Sequence, residues 1–151
     1  MAMAAAMFRN TSNQSIVSTG NGSVLRWTSA TNNTLFSLSP NGYQIIIPQS
    51  GYYYVQVNIF TSIGISCRAF FTAQSDTATV GARFLGMPTQ SNATGVNISE
   101  FTFTGMYYLP SGYNLGVNVL PSANCTITYR SDSVTFSGPK LQIVQLTGAI
   151  E

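Results

Sequence analysis

The chain has 151 residues, enough for one compact domain, but only six basic and four acidic side chains. It has no histidine, its carboxylates are scattered at positions 76, 100, 132 and 151, and Cys67 and Cys125 lie far apart, so we predict no enzyme, no cofactor and no metal. The basic residues stand singly and no apolar run approaches the ~18 residues of a membrane span, so we expect neither nucleic acid nor a membrane as a partner.

The start of the chain is short and apolar, from Met1 to Phe8, and lacks the basic beginning and long apolar run of a secretory signal. We assign residues 1–12 as an N-terminal arm that orders on a neighbouring protein. The residues expected to make that contact are Met3, Met7, Phe8 and Arg9. A short non-native extension is the alternative for this segment. Residues 13–151 are assigned to a single domain.

The rest of the chain alternates between stretches rich in Val, Ile, Thr, Tyr and Phe and clusters of Gly, Pro, Asn and Ser. No stretch keeps a helical apolar period. Strands are predicted near 14–18, 23–28, 34–38, 43–47, 51–62, 65–74, 78–85, 97–109, 113–120, 124–130 and 133–147, with loops near 19–23 and 86–97. This pattern predicts an all-β, two-sheet antiparallel jelly-roll sandwich of about ten strands.

The segment 51–62 has two faces that both look buried. One face is apolar and suits a core: Tyr53, Val55, Val57 and Ile59. The other mixes large aromatic side chains with neutral polar ones: Tyr52, Tyr54, Gln56, Asn58 and Phe60. A face that is aromatic and depleted of charge is typical of the middle of a protein interface.

The segment 97–109 repeats this pattern, with Phe101, Phe103, Tyr107 and Leu109 on one face. The other face has Glu100, Thr102, Thr104, Met106 and Tyr108, again nearly without charge. We therefore predict that Tyr52, Tyr54, Gln56, Asn58, Thr102, Thr104 and Met106 pack against other subunits. The alternative is that both faces belong to two stacked sheets of a monomer.

Four short sequence motifs follow one another along the chain. They are Leu25-Arg26-Trp27, the run from Ile45 to Val55 with its Pro48-Gln49-Ser50-Gly51 turn, the run from Tyr107 to Tyr113, and Phe136-Ser137-Gly138 followed by Leu141-Gln142-Ile143. Together they resemble the C1q/TNF-like jelly-roll superfamily across about 120 residues. The resemblance implies a compact homotrimer in which the face carrying Tyr52, Tyr54 and Gln56 surrounds the threefold axis. Tyr113 stands where that family carries an acidic residue, so a calcium site of the C1q kind is not expected.

A neutral knob rich in Ser, Thr and Asn is typical of a particle surface, with 47 such residues in this chain. We therefore expect a trimeric decoration (cement) protein of a virus or phage, bound to the major capsid protein or another virion protein at the virion surface. The alternative is a receptor- or glycan-binding head of a phage fibre, or of a C1q-like bacterial surface protein, located outside the cell. For Cys67 and Cys125, a disulfide and two free thiols both remain open.

Overall fold

The computed structural model describes residues 3–20, 22–33, 35–62, 65–74, 83–84, 89–91, 98–129 and 139–148. Most of the predicted strand 78–85, most of the predicted loop 86–97, the beginning of the predicted strand 133–147 and the Phe136-Ser137-Gly138 patch lie outside the described residues. The described part of the chain contains strands and turns without a helix, and thus no helix that could cross a membrane.

The described residues form fourteen strands. They are β1 Ala5–Arg9, β2 Gln14–Ile16, β3 Ser23–Val24, β4 Ser29–Thr31, β5 Ser37–Leu38, β6 Ile45–Ile46, β7 Gly51–Ser62, β8 Cys67–Gln74, β9 Arg83–Phe84, β10 Thr89–Ser91, β11 Ile98–Leu109, β12 Asn114–Pro121, β13 Cys125–Ile127 and β14 Lys140–Thr147. The number exceeds the expected ten because β1, β4 and β10 were not predicted. Strand β10 lies within the predicted loop 86–97, so that prediction is wrong for residues 89–91.

All strand pairs are antiparallel. One sheet has five strands in the order β11-β7-β14-β1-β4. The other has the order β10-β8-β12-β6-β5, with β3 also paired to β12 and β9 to β8. A small ribbon joins β13 to β2. The all-β jelly-roll prediction is confirmed.

Alternation along β7 and β11 divides the five-stranded sheet into two faces. Tyr53, Val55, Val57 and Ile59 point inward and are completely buried. Phe101 and Phe103 on β11 lie opposite Ile59 and Val57, so their rings extend the same apolar layer. Trp27, Ile45, Phe71, Leu115, Val117 and Val119 are further members of the one core cluster. Burial of these large side chains is the main stabilising contribution in such a sandwich.

Two turns have a backbone geometry that requires glycine. Gly42 closes the turn that begins at Ser39, whose carbonyl accepts its N–H at 2.9 Å, and Gly42 has a φ of 80°. Gly112 has a φ of 84° in the turn between Pro110 and Tyr113. Residues with a side chain rarely adopt this left-handed conformation, so Gly fixes both turns.

The prediction of a free N-terminal arm is wrong for residues 5–9. Strand β1 lies between β14 and β4, paired from Ala5↔Val144 to Arg9↔Lys140 and from Met7↔Thr31 to Arg9↔Ser29. Phe8 has no exposed surface and contacts Phe36 edge-on, with ring centroids 6.1 Å apart. Residues 5–9 are therefore part of the five-stranded sheet, and Phe8 packs in the core of the same chain.

One buried amide joins the beginning of the chain to its last strand. The Gln145 Oε1 accepts hydrogen bonds from the Ala4 N–H at 3.0 Å and from Gln49 Nε2 at 3.3 Å. Its Nε2 donates to the Thr147 carbonyl at 3.1 Å and to the Ser50 carbonyl at 3.5 Å. Because the amide is buried and satisfied on both sides, it holds the turn before β7 and the start of β1 against the end of β14.

We expect Phe8→Ala to lower the free energy of unfolding by about 3–5 kcal/mol, since it empties a completely buried aromatic site. The matched control is Met3→Ala, which removes a side chain that is 50% exposed and should change stability by less than about 0.5 kcal/mol. Urea titration of both variants checks this. Two neutral substitutions would mean that this segment is an arm after all.

Candidate functional site: the outer face of the five-stranded sheet

The register of the five-stranded sheet arranges its outward side chains in rows. One row runs Met106, Tyr54, Val144, Ala5, and the next runs Thr104, Gln56, Gln142, Met7, Thr31. A third row runs Thr102, Asn58, Lys140, Arg9, Ser29, and Tyr108 lies opposite Tyr52 at the other end. We call this surface the open face, defined by these residues together with Leu146.

The seven residues predicted for a subunit interface all lie on the open face. Thr102, Thr104 and Met106 are exposed, Tyr52 is just exposed, Tyr54 and Gln56 are half-buried, and Asn58 is buried. Phe60, which the alternation also placed outward, is buried instead. The chain just beyond β13 reaches this end of β7, where the Thr128 N–H donates to the Phe60 carbonyl at 2.9 Å. The role of the seven residues in an assembly stays a prediction.

Polar side chains on the open face satisfy one another. The Tyr54 hydroxyl donates to Gln56 Oε1 at 3.2 Å, and Gln56 Nε2 donates to Asn58 Oδ1 at 3.2 Å. Asn58 Nδ2 then donates to Thr102 Oγ1 at 2.8 Å. This chain of hydrogen bonds uses amide and hydroxyl groups that would otherwise need water, so the face can be covered at a lower desolvation cost.

Large apolar side chains are concentrated on the same face. Tyr52 and Tyr108 are a directly opposed cross-strand pair with ring centroids 5.3 Å apart and planes at 71°. Met106 is 61% exposed, and Val144 and Leu146 are also exposed. Of the nine exposed large hydrophobic side chains in the described part of the chain, these five share one surface. Such a cluster marks an interaction surface more often than a solvated one.

A shallow groove crosses the middle of the open face. It encloses about 260 Å³ and is lined by Ala5, Ala6, Met7, Asn32, Tyr54, Gln142 and Val144. Asn32, which lines the groove, has a left-handed backbone with a φ of 50°. The small side chain of Ala5 forms the low part of the groove because it reaches less far than those of Tyr54 and Met7.

The four residues predicted to make the arm's contact with another protein have different surroundings. Met3 is exposed, Met7 and Arg9 belong to the open face, and Phe8 is buried in the core, so its ring cannot contact another protein. The contribution of β1 and β14 to the face was missed from the sequence. The signal in the sequence is the alternation of Leu141 and Ile143 with Gln142 and Val144, which gives β14 one inward and one outward face.

The open face carries two charged side chains, Arg9 and Lys140, among the residues that define it. Arg9 and Lys140 lie side by side at one end, where β1 pairs with β14. An Arg9 terminal nitrogen donates to the Met7 sulfur at 3.5 Å. Among the side chains that the structure describes, no group of three His, Cys, Asp or Glu residues could hold a metal ion.

Both cysteines are free thiols. Burial raises the pKa of the Cys67 thiol to about 12, and the nearby Cys125 thiol acts in the same direction. Burial also raises the pKa of Cys125. Since the thiolate is the reactive form, neither side chain is suited to act as a nucleophile near neutral pH.

We expect the thiols of the folded protein to react slowly with Ellman's reagent at pH 8, with Cys67 the slower because its thiolate fraction is about a thousandfold below that of an ordinary thiol. In denaturant both should react at the normal rate. Folded Cys125→Ala and Cys67→Ala variants separate the two signals. Rapid labelling of Cys67 in the folded protein would contradict the buried assignment.

The raised pKa of Cys67 also makes the stability of the folded protein depend on pH. Below pH 9.0, the ordinary pKa of the thiol, Cys67 is protonated in both the folded and the unfolded chain and does not lower the free energy of unfolding. Above it the unfolded chain loses its proton while the folded protein keeps it up to about pH 12, so the free energy of unfolding should fall across that window.

Comparison with known proteins supports the fold. No protein-family model and no curated protein matches the sequence. The structure is similar to Eiger TNF from S. frugiperda, at 16% identity and a TM-score of 0.68, covering 100% of this chain and 97% of that one. The chain has a TNF-like jelly-roll fold. Murine APRIL is also similar, in structures at pH 5.0 and pH 8.5, at 12% identity and TM-scores of 0.65 and 0.64, covering 96% of this chain and 100% of the chain in each structure.

Proposed function

We propose that the protein is a non-enzymatic homotrimer on the surface of a virus or phage particle, where it acts as a decoration (cement) protein that stabilises the shell. The observation that carries the trimer is the open face: it is uncharged over most of its area, rich in exposed aromatic and aliphatic side chains, and not covered by the second sheet. The TNF-like fold supports the same assembly, since the resemblance seen in the sequence implies a trimer about this face.

The open face also offers the two unlike patches that a threefold ring requires. In a ring each subunit presents one patch to its neighbour on one side and a different patch to the other. Met106 and the Tyr52–Tyr108 pair project from the β11 side, whereas the groove lined by Ala5 and Val144 is recessed on the β14–β1 side. In the proposed ring, the projecting side chains of each subunit insert into the groove of the next subunit. Three such contacts close the ring.

The particle role rests on composition. A protein with ten charged residues and 47 Ser, Thr and Asn residues presents neutral hydrogen-bonding groups on the surface left outside a trimer. Such a surface suits contact with the major capsid protein or another virion protein. Because β1 is part of the sheet, Met3 is the one of the four predicted contact residues that is exposed and lies outside the open face.

The oligomer is tested by light scattering behind a sizing column at low micromolar concentration. We expect a species of about 49 kDa, three times the 16.2 kDa chain, that resists dilution. Met106→Glu and Val144→Glu should shift it to monomer because each buries an unpaired carboxylate at the interface. Val17→Glu, at an exposed residue of similar size away from the open face, is the matched control and should leave the mass unchanged. A monomeric wild type would overturn the trimer.

The particle role has its own test. Purified protein is mixed with empty shells assembled from the major capsid protein encoded in the same genome, and the shells are sedimented and heated. We expect saturable binding and a higher shell melting temperature, both lost with Met106→Glu and kept with Val17→Glu. Absence of shell binding by an intact trimer, combined with binding to host cells or glycans, would replace the cement role with that of a receptor-binding head.

A further inference from the structure

A second groove lies on the seven-stranded sheet, on the other side of the sandwich from the open face. It encloses about 230 Å³ where β8 begins and β12 ends. Its lining is Ser18, Ser66, Cys67, Arg68, Leu120, Pro121 and Ser122. The volume falls below the roughly 300–1,000 Å³ of drug-sized ligand sites, so the groove suits one small chemical unit.

Among the side chains that the structure describes, the groove has a cation, Arg68, and no acidic residue in its lining. Arg68 is exposed and lies between Gln90 of β10 and Leu120 of β12 in the sheet register. Within the described part of the chain, no ion pair or hydrogen bond to its guanidinium is present. Arginine stays protonated at any relevant pH and offers a planar fork of donors that matches a carboxylate.

Hydrogen bonds fix the walls and leave their hydroxyls available. The Ser66 N–H donates to Ser122 Oγ at 3.0 Å, and the Ser122 N–H donates to the Ser66 carbonyl at 2.7 Å. The Ser122 hydroxyl therefore keeps its own hydrogen for a ligand. Ser18 donates through both its N–H and its hydroxyl to Asn124 Oδ1, at 2.8 and 3.1 Å, so its oxygen lone pairs remain open as acceptors.

The remaining lining is apolar or neutral. Leu120 and Pro121 supply a hydrocarbon surface next to the guanidinium. Burial raises the pKa of the Cys67 thiol to about 12, so this side chain adds no negative charge that would repel an anion. One cation, hydroxyl donors and acceptors, and an apolar wall together match a sugar ring that carries a carboxylate.

We propose that this groove binds an acidic monosaccharide unit, with Arg68 taking the carboxylate, Ser122 and Ser18 bonding ring hydroxyls, and Leu120 and Pro121 packing against the C–H face. The site is built within one chain, on the sheet opposite the proposed trimer contact, so it stays accessible in the proposed trimer. It does not depend on the trimer or on the particle role.

The test is equilibrium binding of methyl α-D-glucuronide to immobilised protein at pH 7, measured by surface plasmon resonance. Methyl α-D-glucoside, acetate and sulfate are run alongside it. We expect saturable binding of the glucuronide, with the neutral glucoside and both simple anions at least about tenfold weaker, since a charged hydrogen bond contributes about that factor. Equal binding of glucuronide and glucoside, or equal binding of acetate or sulfate, would overturn the acidic sugar; the latter means an adventitious ion only.

Variants locate the site. Arg68→Gln should weaken glucuronide binding at least about tenfold. Arg68→Lys should have an affinity between those of the wild type and Arg68→Gln, because lysine keeps the positive charge but loses the two parallel hydrogen-bond donors of the guanidinium. Arg26→Gln removes an exposed arginine elsewhere and should have no effect. Equal losses in Arg68→Gln and Arg26→Gln would refute a site at the groove. Met106→Glu should retain binding even where it dissociates the trimer, which separates failure of this site from failure of the proposed assembly.

Discussion

Strand β7 is paired along both of its edges, with β11 on one side over twelve residues and with β14 on the other. This double pairing fixes which side chains face inward across the whole five-stranded sheet. A shift of one residue would turn Tyr53, Val55, Val57 and Ile59 out of the core and bring Tyr54, Gln56 and Asn58 into it. The core, the rows of the open face and its groove all follow from this one register.

The open face combines exposed apolar groups with polar groups that already have partners. That combination allows a surface to lose its water without stranding buried donors and acceptors. An ordinary solvent face would carry charges that resist removal from water, whereas here Arg9 and Lys140 lie together at one end of the sheet. The surface beyond them is suited to a permanent contact, while the Arg68 groove on the opposite sheet is suited to a small, exchangeable ligand.

The long central elements could be predicted because their alternation is strong: the predicted strands 51–62 and 97–109 agree closely with β7 and β11. Strand β1 could not, because alanines carry little strand preference and the segment lies at the start of the chain, where an arm is equally plausible by composition. The seven predicted face residues do share one surface, yet a large part of that surface comes from β1 and β14. The amide of Gln145 and the Arg68 groove depend on contacts between distant segments, which no local pattern encodes.

Placing β1 between β4 and β14 also constrains how the protein is made. The Ala4 N–H and the Gln145 side chain that accepts it are 141 positions apart, and β1 finds one of its two partners only in the last described strand. During synthesis β7 and β1 must therefore wait with an unpaired edge until β14 has emerged from the ribosome. A ribosome that stalls before residue 140 would release a chain with two exposed edges of apolar strands, the kind of edge that recruits other chains into aggregates.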